Sequence, residues 1–420
     1  MVSMRIPARP SMAAALTAGI LAASVVLGSP ATGVPAAPTD PAVDMLLQQR
    51  LDNPRLGDDV GMVVIDGATG TVVSSNDPDA LMLPASNMKI VTAVNVLATM
   101  APADRFVTRV RAGATATDIV LEGAGDPLLT TSDLQALARA TAERLTAGSR
   151  VTVHVDDDLF PDTGRGPGWT TGYIPYVAAP VTALARLGDY SSTPARNAAG
   201  AFTRELRAAG VKARMGDDAD AGRGAAVLAQ TAGHTVGEAV KAMLSRSENN
   251  VAEVMYRHVA VATGVEASWQ GAQLAAESTL RGLGLSPDRM RILDGSGLSR
   301  KDRLSPRFLA EVLRLAKVTR PARFTLMFEP DALPVAGRTG TLATGYGRYA
   351  SRPSRCARGD VQAKTGSLFD TISLSGVADT ESGDERLFSI LVNDRPQQVS
   401  ALSTRQAVDG LAATITGCWD

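Results

Sequence analysis

Strand-like runs stand at the two ends of this chain, and that placement constrains its fold most. Near the start, "GMVVID" (61–66) and "TVVSS" (71–75) flank the glycine turn "GATG", the pattern of a β-hairpin. Near the end, "DVQAKTGSL" (360–368), "TISLSGVAD" (371–379) and "RLFSILVND" (386–394) follow one another with short connections, as in an antiparallel meander. Helical spacing dominates between and around them. It appears in "PTDPAVDMLLQQRLDNPRLG" (38–57), in "SNMKIVTAVNVLATM" (86–100), in 235–264, in 268–284 and near the C-terminus. The pattern predicts an α+β domain, an antiparallel sheet flanked by helices and discontinuous in sequence, from 42–104 plus 230–420. Residues 105–229 carry short strands and two helices of their own, and are expected to form a smaller inserted α/β subdomain.

The first residues read as a targeting segment. Arg5 and Arg9 precede an uncharged, mostly apolar stretch from Ala13 to Leu27. Small residues follow, with Ser29-Pro30-Ala31 and Val34-Pro35-Ala36 as candidate cleavage sites. A secretory signal over 1–37 is expected, with an uncleaved membrane anchor as the competing reading. Localisation is therefore expected to be exported and extracytoplasmic, with membrane contact only through an uncleaved anchor. In that setting the two cysteines, Cys356 and Cys418, form a candidate disulfide; two unpaired thiols are the alternative. A net charge of −1 gives no reason to expect a nucleic-acid partner.

The chain holds six lysines among its 42 basic residues, which makes the position of each informative. Ser86 and Lys89 are three apart at the start of a predicted helix. A serine hydroxyl needs a base, and a lysine serves if burial or a second cation lowers its pKa. Alone, Ser-x-x-Lys also describes a serine N-cap followed by a surface lysine. Two further triplets change the weighing: Ser247-Glu248-Asn249, and Lys364-Thr365-Gly366 on a strand-like run where glycine permits close approach of a ligand. His154, His234 and His258 lack metal-ligand spacing, so neither a metal nor another cofactor is expected.

The order Ser-x-x-Lys, Ser-x-Asn, Lys-Thr-Gly matches the motif set of the penicillin-recognising serine acyltransferases. With "GAGDPLLT" (123–130), "DGSGLSR" (294–300), "LPVAGRTGTL" (333–342) and "LSGVAD" (374–379), the chain resembles the D-alanyl-D-alanine carboxypeptidase/endopeptidase family, peptidase S13, the class C low-molecular-mass penicillin-binding proteins. The resemblance runs over roughly 45–415 and implies a β-lactamase/transpeptidase-like fold. It implies Ser86 as the acylated nucleophile, Lys89 as its base, Ser247 as the proton relay and Asn249 as the group positioning Lys89. Lys364 would hold the substrate carboxylate region and depress the Lys89 pKa, and Thr365 would bond that carboxylate. Gly366 would keep the strand open, and backbone N–H groups of Ser86 and Ser367 would form the oxyanion hole. Arg300 and Asp156, with Asp157 in reserve, would grip the free end of a diaminopimelate side chain. A surface ion pair for Arg300 and a solvated turn at 156–158 are the competing readings. Asp294 and its glycines read as structural, in a tight loop.

The implied partners are peptidoglycan stem peptides and, as covalent inhibitors, β-lactam antibiotics. The implied activity is a serine D,D-carboxypeptidase, with D,D-crosslinks as a further substrate. Two alternatives stand beside it: a β-lactamase of the same fold, for which no convincing Glu-x-x-x-Asn-type loop is seen, and a non-catalytic cell-wall-binding protein. Phe369 is expected to narrow the pocket.

Overall fold

The computed structural model describes residues 40–146, 148–161, 164–222 and 224–418. The expected signal segment lies outside them. Among the described residues, no helix is long and apolar enough to cross a membrane.

The end-to-end placement of strands resolves into one sheet. The hairpin β1 (Asp59–Asp66) and β2 (Val72–Asn76) joins the C-terminal meander in the order β10-β11-β12-β1-β2. Here β10 is Val361–Ser367, β11 Ile372–Asp379 and β12 Glu385–Asn393, and every pairing is antiparallel. Both faces are covered, which is why β1 reads as an unbroken apolar run instead of an alternation. Met62 and Val64 face one core with α1 (Pro41–Leu51) and α10 (Ala401–Ile415). Val63 and Ile65 face the other, with the helices α2 (Met88–Thr99), α5 (Val236–Ser245), α6 (Asn249–Thr263), α7 (Trp269–Gly282) and α8 (Pro306–Arg314). A short helix, α9 (Pro321–Phe324), follows α8.

The middle of the chain builds a second five-stranded sheet, in the order β7-β6-β5-β4-β8. Its strands are β4 (Arg109–Ala112), β5 (Asp118–Glu122), β6 (Arg150–Asp156), β7 (Lys212–Asp218) and β8 (Val227–Gln230). β5, β6 and β7 are parallel, with crossovers that carry α3 (Thr131–Ala142) and α4 (Pro194–Ala208). These helices and strands share a separate apolar cluster around Leu121, Leu134, Val153 and Phe202. The chain enters and leaves side by side, because β3 (Arg105–Phe106) pairs with β9 (His234–Thr235). Part of this middle span turns back: Phe160, Trp169, Ala178 and Val181 belong to the helical core of the first sheet. The whole of Pro38–Asp420 forms one compact unit.

Cys356 and Cys418 are bonded, with Cα atoms 6.1 Å apart, and tie the end of α10 to the turn Arg355–Ala357.

Candidate active site

Ser86 sits in the single 3₁₀ turn Ala85–Asn87 that leads into α2. One helical turn on, Lys89 returns its Nζ to 2.9 Å from Ser86 Oγ. The same ammonium donates to Asn249 Oδ1 at 2.8 Å and to the Ser296 carbonyl at 2.9 Å, so its three donors are all directed. Lys89 is fully buried. Burial pulls its pKa down to about 8, against the negative charges of Glu253, Asp294 and Glu248, which hold it up.

The turn is held under pressure from two sides. Ala85 has φ +47°, a left-handed conformation that costs an L-residue roughly 1 kcal/mol or more. The loop 294–300 lies directly on it: Gly297 has φ +81°, and a Cβ there would collide with the Ala85 carbonyl oxygen. From the other side comes β10, where a Cβ on Gly366 would collide with Ser373 Oγ and stand 2.9 Å from the Ser86 nitrogen. Glycine at 366 therefore lets an edge strand run against the backbone of the nucleophile.

Ser247 occupies the break between α5 and α6 with φ +61°. Its Oγ accepts from Lys364 Nζ at 2.9 Å, and Lys364 also donates to the Thr365 carbonyl at 2.9 Å. Asn249, the first residue of α6, is fixed by donating to the Val177 carbonyl at 3.0 Å. The five residues Ser86, Lys89, Ser247, Asn249 and Lys364 thus meet in one place, although 278 positions separate Ser86 from Lys364.

The expected coupling of the two lysines has a counterpart in the site, and burial is the largest cause of the low Lys89 pKa. Lys364 is itself buried, without an ion pair among the described residues. Burial first, and then the charge of Lys89, push it well below the ordinary lysine value. Lys89 and Lys364 thus disfavour each other's charge.

Above these groups opens a cavity of about 310 Å³ lined by Ser86, Ser247, Asn249, Thr341, Tyr346, Arg348, Thr365, Gly366, Ser367 and Arg405. Thr365 Oγ1 lies 2.7 Å from Thr341 Oγ1. Phe369 does not line this cavity: the residue is 78% exposed, while its carbonyl accepts from Arg395.

Glu253 has no place in the sequence reading, yet its charge acts on Lys89. It lies one turn after Asn249 on α6, fully buried, and its two oxygens accept from the N–H groups of Gly295 and Ser296, each at 2.9 Å. Burial first, then the neighbouring Asp294 charge, raise its pKa to about 8. An acid on the apolar face of a helix was the signal that could have found it. Asp294 closes the loop by accepting from Gly297 N, Ser299 N and Trp169 Nε1, at 2.7, 2.7 and 2.8 Å. That is the structural role its glycine-rich setting suggests.

The two residues assigned to a diaminopimelate grip make no direct contact with each other among the described residues. Arg300 makes a bidentate pair with Asp370, at 2.7 and 2.6 Å. Asp156 accepts from Ala221 N and Asp158 N. Among the described residues no contact joins Asp156 or Asp157 to Arg300, and none of them lines the Ser86 cavity. Carboxylates of Asp156, Asp158 and Asp220 stand within 4.8 Å of one another, the one group in the described residues spaced to share a metal ion. The histidines serve packing and polar closure. His154 meets the Asp217 carbonyl, His234 meets Asp126, and His258 meets the Gly125 carbonyl with its pKa lowered by burial to about 4.

Comparison with known proteins bears on the same geometry. The model of the D-Ala-D-Ala carboxypeptidase 3 (S13) family matches residues 43–190 and 171–415. The chain is 31% identical over 405 residues to Carboxypeptidase DacB of Mycolicibacterium smegmatis, covering 91% of this chain and 85% of that protein. It is also 31% identical to Carboxypeptidase Rv3627c of Mycobacterium tuberculosis, covering 99% and 90%. In fold it resembles penicillin binding protein 4 from Haemophilus influenzae, with a TM-score of 0.75 at 20% identity, covering 90% of this chain and 98% of that one. A catalytic cluster in the expected motif order and matches over nearly the full length lead to one conclusion: the chain belongs to the D-Ala-D-Ala carboxypeptidase 3 (S13) family of serine peptidases.

Proposed function

We propose that this protein is an exported serine D,D-carboxypeptidase that removes the terminal D-alanine of peptidoglycan stem peptides through an acyl-enzyme on Ser86. The observation that carries the reading is the 2.9 Å approach of Lys89 Nζ to Ser86 Oγ, on a lysine that burial brings to about 8. Neutral Lys89 takes the hydroxyl proton as Oγ attacks the carbonyl carbon of the penultimate D-alanine. The negative oxygen that forms is received by the backbone N–H groups of Ser86 and Ser367, at the narrow approach that Gly366 permits. The oxyanion collapses and the C–N bond breaks as Ser247, held by Lys364, hands its hydroxyl proton to the departing amine; Ser247 is resupplied with the proton that Lys89 took, and Lys89 returns to its neutral form. Water, deprotonated by Lys89, then hydrolyses the ester and frees Ser86.

A β-lactam enters by the same attack, but its amine stays tethered after ring opening and obstructs the water. A β-lactam complex has been solved for the Haemophilus influenzae protein of the same fold, which supports this expectation. Export rests on the charged and apolar character of residues 1–37.

The test is mass spectrometry of the purified protein after incubation with benzylpenicillin, together with assay of released D-alanine. The expected result is one adduct on the Ser86 peptide, lost in Ser86→Ala. Equal labelling of the variant would sink the assignment.

A further inference from the structure

We propose that Arg405, on the last helix, is a substrate-binding residue that receives the free carboxylate at the end of the substrate, together with the hydroxyls of Thr365 and Ser367. The inference rests on the D,D-peptidase reading above and adds a specificity residue to it.

Thr365 and Ser367 are two apart on β10, so their side chains share a face, and both line the cavity that holds Ser86. Arg405 comes to the same place from α10. Its Nε donates to Ser367 Oγ at 3.2 Å, and its side chain forms part of the cavity wall. Two hydroxyls and a guanidinium around one end of a reaction groove make a cradle for a planar anion.

The surroundings of Arg405 leave it short of negative charge. Arg348, beside it, takes both oxygens of the buried Asp409, at 2.8 and 2.5 Å. Arg395 is spent on the carbonyls of Phe369 and Val399, at 3.1 and 2.8 Å. Among the described residues no carboxylate forms an ion pair with Arg405. Burial and repulsion from Arg348 and Arg395 work against its charge and lower its pKa from the ordinary arginine value, with only Asp409 opposing. A guanidinium does not lose its proton within a protein, so the strain is relieved by an incoming anion instead.

The required distance is short. The carboxylate of the departing residue lies one residue beyond the scissile carbonyl, and one extended residue spans about 3.5 Å. Ser86, Thr365, Ser367 and Arg405 share one cavity of about 310 Å³, which accommodates that span. A chain that continued as an amide past this point would bring no anion to Arg405. The residue therefore favours a free end over an internal bond.

The experiment compares wild type, Arg405→Gln and Arg405→Lys on two matched pairs of compounds. One pair is diacetyl-Lys-D-Ala-D-Ala and its C-terminal amide; the other is benzylpenicillin and its methyl ester. Arg405→Gln is expected to lower kcat/KM on the acid peptide by on the order of 10- to 100-fold, with a loss on the amide smaller by about tenfold. Acylation by benzylpenicillin should fall relative to its ester in the same way. Arg405→Lys should recover part of the acid preference. Equal losses on acid and uncharged compounds, or no loss on the acids, would overturn the inference. If wild type is acylated by benzylpenicillin yet leaves the peptides intact, the peptidase reading fails, while the penicillin pair still judges Arg405. A wild-type protein that reacts with none of the four compounds overturns both.

Discussion

In the proposed mechanism Lys89 works only after it has given up the proton that most lysines keep. Neutral Lys89 is the reactive form and its share grows with pH, so acylation by benzylpenicillin should rise through about pH 8 and level off above it. Glu253 stabilises the ammonium form. Glu253→Gln should therefore move the rising limb to lower pH. Lys364→Ala should slow acylation by releasing Ser247 and, by removing a neighbouring cation, move the limb to higher pH. A rapid-mixing pH profile of the three proteins decides this; an unchanged limb in Lys364→Ala would show that the two lysines are not coupled. At this scale the sequence was informative where chemistry is concentrated in triplets. Ser86 with Lys89, Ser247 with Asn249, and Lys364 with Thr365 could be read because each pair is local. Arg405 could not: it is one arginine among 42 basic residues, and only the packing of α10 against the sheet brings it to Ser367.

Between residue and molecule, the loop 294–300 acts as a clamp on the nucleophile turn. It accepts the Lys89 ammonium through the Ser296 carbonyl, and Gly297 presses on Ala85. Gly297→Ala would add a methyl where a carbonyl oxygen already stands and would strain a left-handed backbone. A loss of roughly 1–3 kcal/mol is expected, with acylation slowed at least in proportion to the displaced Ser86. Thermal melting and penicillin labelling measured on the same preparation test both parts; a variant with wild-type melting and labelling would show that the clamp is loose. The glycines of "DGSGLSR" suggested a tight loop, but not what it tightens against. That contact joins segments about two hundred positions apart and leaves no periodic trace. The break between α5 and α6 was hidden for a similar reason. Helical spacing continues across it, while Ser247 turns left-handed because Lys364 and the groove require its hydroxyl there.

Across the whole molecule, the split sheet was legible because its strands are long and β-branched. The return of Phe160 to Val181 into the helical core was not, since that segment is loop-like and its apolar residues show no period. The Cys356–Cys418 bond closes a 62-residue separation that includes β10, β11, β12 and α10. Removing it by replacing both cysteines with serine should cost ~2–4 kcal/mol by the loop-entropy argument. The reduced wild type and the double variant should melt several degrees lower and alike. Identical melting with and without reductant would show that the bond contributes nothing. A last consequence concerns timing. β1, made early in synthesis, has β12 as a partner, and α10 follows only after β12. A ribosome must therefore release the chain through Asn393 before the central sheet can close. Until then Ser86 and Lys89 exist as a helix start without Lys364 or Arg405 beside them. The proposed chemistry cannot begin until β10 has brought Lys364 to Ser247, and the proposed carboxylate cradle is complete only once α10 has followed.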